Sequence, residues 1–439
     1  MKTGFSKIIT LIFAFGPFVA AQTADHTQLK KVVIFGRHAV RTPNAPNSVL
    51  NTFSQLPYPT FAAPGISVIT PNGKTNETIL GGYFRLWLTQ EKLLTGNDAG
   101  DAALVYLRSY NSPLIVDTAQ AFAAGMLPAA TVSISTTSTA DPLFDPVDAG
   151  VAELNERTAV AAVNGRLGGN PQSLAIAYAP EIALARSVLF HYPVSTTPAP
   201  SAPAGITDVT MLPISATAGS STLPVNLGGL QTLCVAIDPF VMEYADGMAL
   251  SDVGWGQLNA GSIGQVFRLY DRLLDLEFRT PYLAKVQSSN VASHIVRTMV
   301  QTATGNAMTG TLGTPSQKII ALISTNSNIS GLAGLFELDW LVAGYQADVA
   351  APNGALVFEL RQSQATGEYI VRTSYVTQTM EQLRNRTPLT LTAPPVKAPV
   401  FVPGCSIRNA TFDCPLEGFV RMASQAIDPR SADLLDTNH

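Results

Sequence analysis

The sequence carries little charge for its length, and this shortage narrows the classes of partner. Charged residues make up 13% of the 439 residues, against roughly 25% in an average globular chain. The formal net charge of −4 favours neither nucleic acid nor an anionic membrane surface, so we expect neither as a partner. Uncharged polar residues must then supply the surface polarity. Glycans are compatible with this, since acceptor sequons occur at Asn76, Asn328, Asn385 and Asn409, although Pro388 disfavours the third.

Cysteine and histidine are also scarce, which argues against a metal centre. The three cysteines and five histidines show no spacing typical of metal ligands, so we expect no metal and no other cofactor. Cys405 and Cys414 flank a short loop, which favours a local disulfide in an exported chain. Cys234 is then expected to be a buried free thiol.

A single apolar run suggests a sorting signal, and it lies at the N-terminus. Lys2 and Lys7 precede an apolar stretch from Ile8 to Val19, and small residues follow up to Gln22, as in secretory signal peptides. The run is too short for a membrane anchor, and no later segment is apolar and uncharged for long enough to span a bilayer. We expect residues 1–21 to be a signal peptide and the mature chain, whose net charge becomes −6 without the two lysines, to be secreted.

Strand and helix patterns alternate in the two outer parts of the mature chain. Buried-strand patterns occupy 32–36, 103–110, 318–324, 354–360 and 369–376, and helical patterns occupy 70–94 and 117–127. The part between them is mostly helical and contains a Pro/Ser/Thr-rich loop at 193–205. The mature chain is too long for one simple core. The alternation therefore predicts an α/β domain over 22–146 and 286–439, interrupted by a helical insertion domain at 147–285.

The first strand runs directly into a cluster of basic side chains. VVIFGRHAVRTP at 32–43 places Arg37, His38 and Arg41 after the strand, and Pro43 fixes the turn. Two guanidiniums match a phosphate or a carboxylate, and a histidine between them can attack an electrophile or transfer a proton. For an isolated R-H-x-x-R motif, a surface ion-pair network or a satisfied buried histidine is equally plausible. The position at the end of a buried strand favours a functional site.

Other polar stretches also follow predicted strands. In open α/β sheets ligands bind beyond the carboxyl ends of the strands. We therefore expect Ser109 to Leu114 and Ser324 to Asn328 to lie near the basic cluster.

RHAVRTP resembles the RHGxRxP signature of the histidine acid phosphatases, in the branch of the bacterial-type phytases and glucose-1-phosphatases. Further matches follow in order along nearly all of the mature chain: TPNG at 70–73, TAQAFAAG at 118–125, GWG at 254–256, FELDW at 336–340, PNGALVFEL at 352–360 and the loop from Cys405 to Cys414. The resemblance implies an α/β fold with a phosphoglycerate-mutase-like mixed sheet flanked by helices and a mostly helical inserted domain. It also implies phosphomonoester hydrolysis in two steps, with His38 as the nucleophile and Arg37 and Arg41 as phosphate ligands.

The second half of the family's site does not carry over. Counted from FELDW, the family's His-Asp pair falls on Thr325 and Asn326, and counted from AFAAG, a further phosphate-binding arginine falls on Leu114. Ala39 replaces the glycine after the histidine. An amide cannot donate and regain a proton, and general acid catalysis is typically worth about 10²–10⁴-fold. Arg108 is a candidate substitute for the arginine, although an outward-facing strand position is slightly favoured for it.

The remaining pocket is expected to be less charged than a phosphatase site. Its expected members are the catalytic residues Arg37, His38 and Arg41 and the substrate-binding residues Asn44, Leu114, Thr325 and Asn326. Lost charge-assisted hydrogen bonds, each worth roughly 1.5–3 kcal/mol, weaken phosphate binding. Such a site suits a small, partly apolar molecule with an anionic or carbonyl group, whose oxygen Thr325 and Asn326 could bind.

Three functions stay open at this stage. The first-ranked hypothesis is a repurposed enzyme that uses His38 for acid-base or covalent chemistry on a small molecule. The second is a non-catalytic ligand-binding protein, and the third is a residual acid phosphatase with a proton donor from elsewhere in the chain. The substrate, the reaction and the oligomeric state are not determined by the sequence.

Overall fold

The chain folds into a large mixed β-sheet with helices on both faces. The computed structural model describes residues 25–432, so the predicted signal peptide at 1–21 lies outside the described residues. The strands are β1 (Thr27–Arg37), β2 (Val105–Ser109), β3 (Ile134–Ser135), β4 (Ile214–Ala218), β5 (Val225–Gly228), β6 (Ile319–Ser324), β7 (Ala355–Ser363), β8 (Tyr369–Thr377), β9 (Val396–Pro399) and β10 (Cys414–Pro415). The helices are α1 (Asn47–Leu50), α2 (Pro71–Gln90), α3 (Asp98–Asp101), α4 (Pro113–Met126), α5 (Glu156–Arg166), α6 (Ser173–Ala177), α7 (Ala179–Leu189), α8 (Gly229–Ala245), α9 (Ala260–Phe278), α10 (Pro281–Thr304), α11 (Asn326–Leu335), α12 (Met380–Asn385) and α13 (Leu416–Ala426).

The large sheet combines a parallel half with an antiparallel half. Its strand order is β10-β8-β7-β1-β6-β2-β3, and β9 pairs with β8. Strands β1, β6, β2 and β3 are parallel, whereas β7 is antiparallel to β1 and β8 is antiparallel to β7. Strand β6 lies between β1 and β2 although it comes after the helical part of the chain. The predicted mixed α/β sheet flanked by helices is confirmed.

Strand β1 lies at the centre of two hydrophobic layers. Successive side chains of a strand point to opposite faces. Val33 and Phe35 therefore pack in the layer that contains α10, α11 and α13, and Val32 and Ile34 pack in the layer that contains α2 and α4. Because both faces are covered, the strand is continuously apolar and does not alternate with polar residues.

The middle of the chain forms a separate hydrophobic core. Residues 147–285 supply α5 to α9, the two-stranded sheet of β4 and β5, and most of a third hydrophobic cluster. Within the described residues, this part contributes no strand to the large sheet. The loop at 193–205 contains neither helix nor strand. The domain boundaries themselves stay a prediction.

The cysteines lie as the sequence predicts, whereas one sequon does not fit a glycan. Cys405 and Cys414 form a disulfide, and Cys234 is a buried free thiol. Asn76 is fully buried in α2 and donates to the Leu383 carbonyl, so a glycan there is incompatible with this fold. Across residues 25–432, no helix has the length and hydrophobicity that crossing a membrane requires, and no three His, Cys, Asp or Glu side chains are grouped to hold a metal ion.

Candidate active site

The carboxyl ends of the three central parallel strands meet at one cavity. Arg37 at the end of β1 pairs in register with Ser324 of β6, and Ser109 of β2 pairs with Ile323. The cavity beyond these ends has a volume of about 330 Å³. It is lined by six of the seven expected site residues: His38, Arg41, Asn44, Leu114, Thr325 and Asn326.

Arg37, the seventh expected residue, lies in the wall between two cavities. It lines an adjacent, mostly apolar cavity that shares Tyr270 and Asn326 with the first. Arg37 Nη1 donates to the Ala350 carbonyl at 2.5 Å, and its buried Nε has no hydrogen-bond partner. Burial lowers the pKa of Arg37, yet an arginine keeps its charge at any relevant pH. Arg37 therefore contributes positive charge behind His38.

The backbone fixes the orientation of the His38 ring. The Nδ1 atom lies 2.9 Å from the Ala39 carbonyl oxygen, which can only accept a hydrogen bond. Nδ1 therefore carries the proton, and Nε2 keeps its lone pair. The His38 backbone N–H donates to the Ser324 carbonyl at 2.9 Å, and the Ala39 N–H donates to Thr118 Oγ1 at 3.2 Å. Ala39 is thus accommodated in a fully buried position.

His38 is electrically neutral over a wide pH range. Burial, followed by the nearby charges of Arg37 and Arg41, holds the pKa of His38 well below its usual value. A neutral imidazole with a free lone pair is the nucleophilic form of histidine. Burial and the two arginines therefore favour the neutral imidazole at position 38.

Arg41 is paired with a carboxylate from the helical part of the chain. Its Nη1 and Nη2 atoms donate to the two Asp238 oxygens at 2.9 and 3.0 Å. Burial opposes the charge on Arg41, but Asp238 raises its pKa above the usual value. Asp238 lies on α8, so this ion pair joins the helical part of the chain to the turn after β1. Much of the positive charge of Arg41 is neutralised in this state.

Helices α4 and α11 begin at the cavity. Thr325 is the N-cap of α11 and forms a capping box with Asn328, while Asn326 Nδ2 donates to the Tyr270 hydroxyl at 3.3 Å. Ser112 and Leu114, at the start of α4, line the opposite part of the cavity. Helix N-termini carry partial positive charge. The cavity is therefore suited to an anion.

Comparisons with known proteins agree with this geometry. The model of the histidine phosphatase superfamily (branch 2) matches residues 28–177. The chain is 27% identical to phytase AppA of Escherichia coli (strain K12) over 98% of its own length and 99% of that protein. It is 24% identical to the glucose-1-phosphatase of Salmonella typhimurium, with 93% and 94% of the two chains covered. The fold matches the apo phytase of Hafnia alvei with a TM-score of 0.82 and 27% identity, covering 94% of this chain and 100% of that one.

The chain is similar to the histidine phosphatase superfamily (branch 2) over residues 28–177, and to bacterial phytases in sequence and fold over nearly its whole length. The resemblance inferred from RHAVRTP is thereby confirmed. This similarity to phosphatases supports an enzyme of the phosphatase type, and the roles of the individual residues stay predictions.

Arg108 does not take the place of an additional phosphate-binding arginine in this cavity. Its Nε and Nη2 atoms donate to the two Asp141 oxygens at 2.9 and 2.8 Å, and its side chain is only 2% exposed. It does not line the His38 cavity. The preferred interpretation of an outward-facing position was also wrong, because a charged side chain can be buried in a sheet when a carboxylate pairs with it.

The sequence reasoning missed several residues that complete the cavity. Tyr110, Ser112 and Asn328 fall within the stretches expected after the strands, but others do not: Phe144, Asp145, Thr222, Tyr270, Phe278 and Gln287. Asp145 is the one carboxylate that lines the cavity within the described chain. Burial raises its pKa from the usual 3.8 to about 6; a hydrogen bond from Tyr110 opposes this rise, and Asp148 and Asp141 add to it. The sequence places three acidic residues close together at 141–148, and this cluster could have indicated that the loop contributes to the site.

Proposed function

We propose that this protein is a phosphatase that hydrolyses small, singly phosphorylated esters through a phosphohistidine intermediate on His38. The observation that carries the proposal is the state of His38. Its ring is neutral and oriented by the Ala39 carbonyl, and it lines a cavity at which α4 and α11 begin. Similarity to the histidine phosphatase superfamily supports the same chemistry.

In this proposal, the turn after β1 acts on the phosphoryl group. His38 Nε2 attacks phosphorus, while Arg41 and the starts of α4 and α11 stabilise the phosphoryl oxygens. Arg37, behind the histidine, adds a fixed positive charge. Thr325 and Asn326 offer neutral hydrogen-bonding groups at the start of α11, where the family pattern has a His-Asp pair.

The charge of the cavity favours a substrate with one phosphate group. Arg41 is the one Lys or Arg side chain that lines the cavity in the described chain, and Asp238 already pairs with it. The other lining residues are mostly uncharged, among them Asn44, Ser67 and Gln287. A molecule with several phosphates, such as phytate, would bring much more negative charge than the cavity offsets. Phytate is therefore expected to be a poor substrate here, although the chain is similar to phytases.

We now rank the residual phosphatase first among the three functions expected from the sequence. The residual phosphatase was ranked third because it needed a carboxylate in the site that the sequence did not provide. Asp145 now lies in the His38 cavity, which removes that objection. The repurposed enzyme that acts on a carboxylate or carbonyl compound is not supported by a comparable contact. The non-catalytic binding protein is one possible result of the experiment described next.

The test is phosphate release with identification of the intermediate. The purified protein is incubated with an aryl phosphate that has a good leaving group, and the phosphoenzyme is trapped with ³²P-labelled substrate. Wild type should release phosphate and form a label that is stable to alkali and lost in acid, as expected for phosphohistidine. His38→Ala should abolish both signals, while the control His26→Ala, at an exposed position, should keep them.

Two results would contradict the proposal. The absence of phosphate release by wild type, with phosphate still binding, would identify a non-catalytic anion-binding protein. Turnover that persists in His38→Ala would show that another group attacks phosphorus.

We also propose that the protein is exported. The disulfide between Cys405 and Cys414 supports this, because disulfides persist in oxidising compartments. N-terminal sequencing of protein recovered from the medium should begin at Gln22; a chain retained in cells with Met1 intact would contradict export.

A further inference from the structure

We propose that Asp145 is the catalytic acid of this enzyme and that its carboxyl group protonates the leaving oxygen of the substrate. The inference rests on the proposed phosphatase function and assigns the proton donor of that same site. No other carboxylate of the described chain lines the His38 cavity.

Two other carboxylates near the site are unsuitable. Both oxygens of Asp238 accept hydrogen bonds from Arg41, so this group is committed to an ion pair. Asp271 lines the adjacent apolar cavity and a surface cleft, but not the cavity of His38. Asp145 alone combines access to the cavity with freedom from an ion pair in the described chain.

The loop that carries Asp145 is held in place from several sides. The bidentate pair of Arg108 and Asp141 anchors its start, and the Asp145 N–H donates to the Asp141 carbonyl at 2.6 Å. Phe144 is buried with its ring 6.4 Å from that of Phe35, on β1. These contacts fix the carboxyl group relative to the strand that ends at His38.

A direct contact also joins this loop to the start of α11. Asn328 Nδ2 donates to the Phe144 carbonyl at 2.8 Å. The residue after Phe144 is thereby held near Thr325 and Asn326, where the family pattern has its own acid. A carboxyl group on a different segment therefore serves the same cavity.

The surroundings of Asp145 favour its protonated form. The group is partly buried, and the charged or titratable groups that act on it are Tyr110, Asp148 and Asp141. Tyr110 hydrogen-bonds to it, and both aspartates repel its negative charge. His38 and Arg41 line the same cavity, and between residues 25 and 432 no arginine or lysine forms an ion pair with Asp145. With a pKa of about 6, the group can release and regain a proton under mildly acidic conditions.

The chemistry balances over two steps. In the first, the His38 Nε2 lone pair forms a bond to phosphorus, the bond from phosphorus to the ester oxygen breaks, and that oxygen takes the proton of Asp145 and leaves as an alcohol. In the second, the Asp145 carboxylate takes a proton from water, whose oxygen attacks phosphorus while the bond to Nε2 breaks. His38 regains its lone pair, phosphate leaves, and Asp145 is protonated again.

The test is the dependence of the rate on the leaving group. Wild type and Asp145→Asn are compared on a series of aryl phosphates of rising leaving-group pKa and on an alkyl phosphate. The variant should lose about 10²–10⁴-fold in kcat/KM with the alkyl phosphate but less than about tenfold with the best aryl leaving group, because that group needs little protonation. Asp145→Glu should recover part of the loss.

The control is Glu153→Gln, eight residues away. Glu153 is exposed, does not line the cavity and is not among the groups that shift the pKa of Asp145, so this variant should keep the leaving-group dependence of wild type. An equal loss by Asp145→Asn on every substrate, or no loss on any, would overturn the role of Asp145 while the phosphatase function stands. Failure of wild type itself to hydrolyse the best aryl phosphate would instead overturn the phosphatase function and this role with it.

Discussion

The ion pair between Arg41 and Asp238 should limit how tightly the cavity binds phosphate. Replacing Asp238 by Asn keeps the size of the side chain and one hydrogen-bond acceptor but removes the negative charge. The positive charge of Arg41 is then no longer neutralised by a carboxylate, and Arg41 can bind an anion in the cavity that it lines. The substitution should strengthen phosphate binding and weaken the fold at the same time.

The magnitudes follow from the burial and the geometry of the pair. The side chains of Arg41 and Asp238 are 3% and 4% exposed, and removing one partner of a buried ion pair costs about 3–5 kcal/mol of folding stability. A hydrogen bond to a charged group contributes roughly 1.5–3 kcal/mol. The released guanidinium should therefore tighten phosphate binding by about 10- to 150-fold. Saturating phosphate should restore part of the lost stability, since it binds the folded state alone.

Calorimetric titration with inorganic phosphate and thermal unfolding measure these two effects. Asp141→Asn is the matched control, because it breaks an equally buried bidentate pair with an arginine that does not line the cavity. The control should lose similar stability without any gain in phosphate affinity. Equal phosphate dissociation constants for wild type and Asp238→Asn would refute the idea that this pair restrains Arg41.

Three further predictions concern the loop, the cavity wall and the disulfide. The pKa of Asp145 rises from 3.8 to about 6 on folding, so its contribution to stability is fully present below pH 3.8 and is lost as the pH rises through 6. Asp145→Asn should then stabilise the protein by about 1 kcal/mol at pH 7.5, after a reduction for solvent screening, and should have little effect at pH 3.5. Urea unfolding at the two pH values measures this, and the same gain in stability at both would contradict the prediction. Leu114 is buried in the cavity wall, so Leu114→Arg should tighten phosphate binding about tenfold or more and lower the stability of the fold. Calorimetric titration measures the affinity, and an unchanged value would mean that the new guanidinium does not reach the site. Replacing both Cys405 and Cys414 by Ser should lower the free energy of unfolding by about 2–4 kcal/mol and leave kcat/KM unchanged, since neither residue lines the cavity; altered kinetics would indicate that the C-terminal loop supports the site.

Long apolar segments made the fold predictable from the sequence. The predicted strand at 318–324 matches β6 (Ile319–Ser324), and that at 369–376 matches β8 (Tyr369–Thr377). Helix α4 begins at Pro113, earlier than the predicted 117, because Ser112 is its N-cap and proline suits the first helical turn. Strands β4 and β5 were not predicted, since a short segment such as ISATA has no clear hydrophobic period.

The predictable part of the site is the part that follows strands. His38, Leu114 and Thr325 each come soon after a buried strand, and the parallel order of β1, β6 and β2 brings them together. Asp145 and Asp238 follow no strand of this kind. Asp238 is 197 residues from Arg41 in the sequence, and the Asp145 loop is positioned by side-chain pairs that no local pattern reveals. Such long-range contacts become visible only in the folded chain.

The low positive charge of the cavity and the role proposed for Asp145 are physically linked. A carboxyl group beside several cations ionises more readily and cannot hold a proton at mildly acidic pH. In the correspondence predicted from the sequence, Leu114 and Asn326 replace an arginine and an aspartate of the family pattern and Thr325 replaces a histidine. Asp238 also neutralises much of the charge of Arg41. The neighbours that act on Asp145 are a tyrosine and two aspartates, and its pKa is accordingly raised. The low positive charge that weakens phosphate binding thus allows the carboxyl group of Asp145, on another loop, to stay protonated. A role for Asp145 as the proton donor therefore depends on the cavity having few cations.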